Sequence, residues 1–216
     1  MSRLPMNNNV AIPISAHLLS PFYYHGLYAM DGSATHPGVI TDTALIFAVR
    51  HTLLGSPSTL PNRPNYYEDM RHIPWRASLL MGTSNNQVLP PVRHTIDVSR
   101  EGGYHDKMQN CMSSGNFIGT FFVHEVASGA EYQGMLYGPD FFKFYDIQTL
   151  IVRVGVGGLG MLEIRRDKSV GDVHLNAKTA SWFNRSIQEK YRILDSIRVA
   201  QAMSIRQAVD ELRYWG

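Results

Sequence analysis

The 216-residue chain has one cysteine, five lysines and a net charge of only +2. A lone Cys111 excludes an internal disulfide framework and any multi-cysteine zinc site. The nine histidines are scattered, with no pair at the spacing that binds a metal on one helix face, so neither a metal nor a cofactor is expected. No apolar run approaches the ~20 residues that span a bilayer, so no membrane is expected. The start, "MSRLPMNNNV", lacks the apolar stretch of a signal peptide, and the expected compartment is the cytoplasm. So low a charge gives little long-range attraction to nucleic acid.

What is present points to a globular protein. Hydrophobic residues make up 44% and charged residues 18%, and the length suits one buried domain with room for an insertion. Fifteen of the 20 basic residues are arginine. The planar guanidinium makes bidentate contacts to phosphate and stacks on bases, which lysine does not do. A genome rich in G and C, whose codons favour arginine, would give the same excess.

Along the chain, "VAIPISAHLL" alternates Ile12, Ile14, Ala16 and Leu18 and reads as a strand, with Pro13 implying an edge-like start. "VITDTALIFAVRHTLLG" reads as a helix with an apolar stripe, Thr41 as N-cap and Gly55 as its stop. Four prolines between residues 56 and 76 mark an irregular connection. "RASLLMG", "VRHTIDV", "FIGTFFVHEV", "TLIVRV" and "MLEIRR" read as strands, and "GAEYQG" as a turn. The polar stretch "SREGGYHDKMQNCMSSGN" reads as a protruding loop or ribbon. From Thr179 the spacing predicts a helical segment, with Arg185, Arg192, Arg198, Arg206 and Arg213 forming a stripe. The order predicts an α+β domain, mainly antiparallel: residues 1–178 with an insertion near 99–116, and a helical segment 179–216 packed on it.

"RVGVGGLGMLEIRR" packs four glycines into six positions, Gly155 to Gly160. A nucleotide cradle needs such glycines to lead into a helix. Here they lead into a strand. The loop is therefore either a plain hairpin or a place where an RNA backbone lies close to the sheet at Gly155, Gly157, Gly158 and Gly160. In the second case Arg153, Arg165 and Arg166 would neutralise phosphates. Alternation along the strand puts Arg165 and Arg166 on opposite faces, so at most one shares the face of Arg153.

The succession of "ISAHLLSPFYYHG", "ITDTALIFAVRHTLLG" and the late "VRVGVGGLG" resembles the RAMP superfamily of CRISPR-associated proteins. Within it, the succession looks most like the Cas-five family in its type I-D and type IV forms. That resemblance implies a ferredoxin-like, RRM-type fold and a non-catalytic, RNA-binding subunit of a Cascade-like interference ribonucleoprotein. It would cap the 5′ handle of the guide RNA and contact a backbone-forming subunit and a large subunit, with target DNA met indirectly. The long C-terminal segment departs from the family pattern. RNA contacts are then expected at Tyr23, Tyr24 and His25, with base stacking on the tyrosines and Phe22, and on the protrusion at Arg100, Tyr104, His105 and Lys107. Two alternatives stay open. One is a metal-independent nuclease that processes guide RNA with His25 as general base. The other is an α+β scaffold or ligand-binding protein without nucleic acid.

Overall fold

The computed structural model describes residues 9–24, 27–29, 32–34, 36–55, 66–83, 86–97, 118–155 and 159–216. It is a mixed α+β fold with a curled, mainly antiparallel sheet and helices.

Strand β1 (Asn9–Ser20) buries every second residue, with Ile12, Ile14 and Leu18 fully enclosed. Pro13 does not place it at an edge: β1 lies in the middle of the main sheet. Pro13 stands opposite Met135, whose N–H donates to the Ser78 hydroxyl rather than to β1. The Pro13 carbonyl accepts from Asp167 on the other side. The missing N–H therefore removes no bond to the strand carrying Met135.

After β1 come the short strands β2 (Leu27–Ala29), β3 (Gly32–Ala34) and β4 (Val39–Ile40), then helix α1 (Asp42–Leu54). The Thr41 hydroxyl accepts from the Ala44 N–H, and Gly55 ends the helix at φ 78°, as the cap residues predict. Helix α2 (Tyr66–Arg71) leads to β5 (Arg76–Ala77), β6 (Leu80–Gly82), β7 (Val92–Asp97) and β8 (Ile118–His124). β7 and β8 pair as an antiparallel ribbon. The insertion expected near 99–116 lies outside the described residues.

The "GAEYQG" turn is corrected. The reversal is confined to Ser128 and Gly129, and from Glu131 the chain runs as β9 (Glu131–Pro139), the partner of β1 over nine residue pairs. Gly134 weakens the strand signal but has a packing reason. A Cβ there would lie 2.8 Å from the Leu79 carbonyl and 2.9 Å from the Ser78 hydroxyl, where the β5–β6 connection crosses. The four-residue helix α3 (Phe141–Phe144), then β10 (Thr149–Val154) and β11 (Gly160–Arg166), complete the main sheet. Its order is β10-β11-β1-β9-β6-β4, with β5 also on β9.

One face of this sheet packs on α1, whose Leu45, Ile46 and Val49 share one buried cluster with Ile12, Leu136, Leu162 and Ile164. The opposite face is half covered, at Ala11, Met135 and Tyr137, by the C-terminal part of the chain. That part comprises β12 (Asp172–Val173), α4 (Ala177–Trp182), β13 (Glu189–Leu194), β14 (Ile197–Ala200), β15 (Met203–Ser204) and α5 (Ile205–Leu212).

The helical reading of 179–216 therefore holds only at its two ends. Ile193, Ile197 and Ala200 fit helical spacing, but β13 and β14 form a hairpin turning at Asp195 and Ser196. The β-branched Ile197 and Val199 bury against Val39 and Leu79. Burial on a neighbouring sheet overrides the local period. Asn176 ties the parts together: its side chain donates to Asp42 at 2.9 Å and to the Ser196 carbonyl at 3.0 Å, and accepts from the Arg198 N–H at 3.1 Å.

Candidate nucleic-acid interface

The β10–β11 hairpin carries the arginines around the glycine loop. Thr149 pairs with Arg165 and Arg153 with Met161, so Arg153 and Arg165 share the solvent face, four residues or about 13 Å apart along the strand direction. Arg166 points the other way, into an ion pair with Asp140 and over the Phe142 ring at 5.1 Å. Burial pulls the Asp140 carboxyl up, but the Lys143 N–H and Arg166 outweigh it and hold it below the usual range. Arg165 pairs with Glu163 at 2.9 Å on the same strand.

Beyond Arg165 the uncovered part of this face forms an open groove of about 450 Å³, lined among others by Ser15, His17, Glu131, Gln133, Glu163 and Asp167. The Ser169 hydroxyl and N–H hold the Asp167 carboxyl below its ordinary range. Three carboxylates thus face one arginine and a histidine. The centre of the open face does not attract phosphate. The cationic groups lie at its β10–β11 edge.

The glycine loop closes on the protein itself. Gly155 has φ 82°, and a Cβ on it would lie 3.0 Å from both the Phe22 Cβ and the Tyr23 carbonyl. At Gly160 a Cβ would come within 2.5 Å of the Phe22 Cβ. The Ser20 hydroxyl donates to the Leu159 carbonyl at 3.1 Å and accepts from the Met161 N–H at 2.8 Å, pinning the far side of the loop to the end of β1. At Gly155 and Gly160 the space a side chain would need is taken by residues 22–23 and, at Gly160, also by Val154. Phe22 and Tyr23 are buried. Tyr24 packs edge-on against Phe22 at 5.0 Å, and burial pushes its hydroxyl pKa well up. These rings belong to the core in this arrangement, whereas base stacking needs an open ring face.

Gly157, Gly158, His25, Arg100, Tyr104, His105 and Lys107 lie outside the described residues. The proposed arginine stripe disperses. Arg192 and Arg198 are cross-strand neighbours on the β13–β14 hairpin, while Arg206 lies within α5 and Arg213 just after it. Arg185 pairs with Glu211 at 2.8 Å and Arg213 with Asp210 at 3.3 Å. Among the described residues no group of three or more His, Cys, Asp or Glu residues is placed to hold a metal ion, and no helix is long and apolar enough to cross a membrane.

Sequence reasoning missed a second cleft, of about 350 Å³, lined by Tyr67, Arg71, Phe183, Asn184, Tyr214 and Gly216. Its lining comes from three distant parts of the chain. No local pattern announces it.

No family model matches the chain, and a search of curated proteins found no match. Among solved structures, it is similar to a chain in the cryo-EM structure of the type III-B Cmr-beta bound to cognate target RNA and AMPPnP. The likeness covers 76% of this chain and 67% of that one, at 9% identity and a TM-score of 0.41. It is a distant structural match.

Proposed function

We propose that this chain is a non-catalytic RNA-binding subunit of a CRISPR interference ribonucleoprotein, holding the 5′ handle of a guide RNA beside a backbone-forming and a large subunit. The strand order carries the reading. β11-β1-β9-β6, with α1 between β1 and β6 in sequence, has the order of a split β-α-β sheet, the ferredoxin-like core on which RRM-type modules are built. The second helix of that pattern is reduced to α3 followed by β10. Together with the order of motifs in the sequence, this supports the RAMP-type reading over an unrelated α+β scaffold.

Charge favours the β10–β11 edge as the path of the RNA. The carboxylate-lined groove repels a phosphate backbone, while Arg153 stands exposed at the edge and Arg165, on the same face, shares its charge with Glu163. With a net charge of only +2, assembly with partner subunits completes the binding path.

Binding of a guide-repeat RNA, measured by fluorescence anisotropy across a salt series with and without the neighbouring subunits, tests this. Affinity should fall steeply with salt, and Arg153→Glu should weaken binding and flatten the log–log slope by about 0.7. Absence of salt-dependent RNA binding in both settings overturns the reading.

A further inference from the structure

The second cleft is built as a rigid aromatic corner. Tyr67, on α2, meets Phe183 edge-on at 5.5 Å, and Phe183 stacks on Trp215 at 5.7 Å with 12° between the ring planes. Trp215 is fully buried, and its indole N–H donates to Glu211 at 3.1 Å. The Arg76 guanidinium, itself buried, fixes the same corner from beneath by donating to the Trp215, Ile73 and Trp75 carbonyls at 2.8, 2.6 and 2.8 Å. Burial lowers the Arg76 pKa only to about 10, so it stays a cation at neutral pH.

Two further guanidiniums lie against rings of the cleft. Arg71 sits over the Tyr67 ring at 4.3 Å, and Arg185 over the Tyr214 ring at 4.4 Å. Arg185 is held by two hydrogen bonds to Glu211, at 2.9 and 2.8 Å, so its plane is fixed. Arg71 is exposed and, among the described residues, has a ring contact but no carboxylate partner. Tyr214 leaves 65% of its surface in water. Asn184 holds φ 56°, and its exposed amide makes no hydrogen bond among the described residues.

From this arrangement we infer that the cleft is a stacking site for one unpaired base of a single-stranded RNA, separate from the β10–β11 edge. The inference rests on the RNA-binding reading and deepens it. Each part has a use: Tyr214 supplies an open π face, Arg71 meets the adjoining phosphate, and the Asn184 amide presents one donor and one acceptor to a base edge. The volume lies at the small end of the roughly 300–1,000 Å³ typical of small-ligand sites, enough for one nucleotide and too little for a duplex. An arginine with no carboxylate partner among the described residues, set beside aromatic rings, favours an anionic planar ligand over an apolar protein side chain.

The test uses the full chain and a short fluorescein-labelled oligoadenylate, with duplex RNA as control. Tyr214→Ala should weaken single-strand binding about ten-fold, and Tyr214→Phe, which keeps the ring, should bind as the wild type. Arg71→Ala should lower the salt slope by about 0.7. Ultraviolet cross-links should map to the peptides holding Tyr67 or Tyr214. Tyr214 and Arg71 are exposed, and circular dichroism checks that the variants fold. If Tyr214→Ala and Arg71→Ala bind as the wild type while Arg153→Glu does not, the cleft is not a base site and the edge alone binds RNA. Duplex binding equal to single-strand binding also overturns the stacking role. If the wild type alone binds no single-stranded RNA, the cleft is not a base site; if it also binds none with the neighbouring subunits present, the functional reading itself fails.

Discussion

The glycine loop and the aromatic cleft place similar residue types in opposite circumstances. At the β10–β11 edge, aromatic rings are turned inward and the space beside the glycines is taken by Phe22. There Arg165 and Arg166 are paired with Glu163 and Asp140. At the cleft, Tyr214 is turned outward and Arg71 has no carboxylate partner among the described residues. A glycine-rich motif with arginines looks like a ligand site in one dimension, yet two of its glycines serve internal packing. Scattered tyrosines that form no motif assemble into an open slot. Availability, rather than composition, separates the two.

The largest effect expected is at the packed loop. Phe22→Ala should cost about 3–5 kcal/mol in a urea melt, because a fully buried ring leaves a cavity. Gly160→Ala should cost about 1–3 kcal/mol by overpacking. The atom it strikes is the Phe22 Cβ, which alanine keeps, so the Gly160→Ala cost should shrink in a Phe22→Gly background, where that atom is gone. Strict additivity of the two would show that the loop does not close on Phe22.

A second comparison uses acid. Hydrogen bonds from Arg185, together with the indole N–H of Trp215, outweigh burial and hold the Glu211 carboxyl below its ordinary 4.5. A depressed pKa contributes stability that is present above the unfolded value and lost as pH falls through the folded one. The wild type should therefore lose stability relative to Glu211→Gln as pH drops below about 4.5, and the two curves should run parallel above it. Melting midpoints across that range, read by tryptophan fluorescence, check this. Parallel curves throughout would mean that the ion pair does not hold the cleft together.

The smallest effect belongs to Arg165. Its pair with Glu163 is exposed, with 60% of the arginine side chain in solvent, so Arg165→Ala should shift stability by less than about 0.5 kcal/mol. A larger loss would mean that the edge contributes to the fold as strongly as the loop beside it.

Much of the frame is legible residue by residue. The alternation of Ile12, Ile14, Ala16 and Leu18 gives β1, and Thr41 and Gly55 bound α1, because side-chain period and capping depend on neighbours a few positions away. β9 is hidden in the sequence because Gly134 and Gly138 look like turn residues until the segments pressing on them, at Leu79 and at Pro74 and Trp75, are in place. The β13–β14 hairpin is hidden because its apolar positions satisfy a helical spacing equally well, and only burial against Val39 and Leu79 selects the strand.

By itself, then, the sequence determined the α+β class, the first strand and helix with their ends, and the opposite facing of Arg165 and Arg166. Tertiary structure decided which ring enters the glycine loop, which arginines meet carboxylates, and that Tyr67, Phe183 and Tyr214 share a cleft. Those outcomes depend on contacts between residues far apart in the chain: more than a hundred positions separate Tyr67 from Phe183 and Phe22 from Gly160, and no local period encodes such distances.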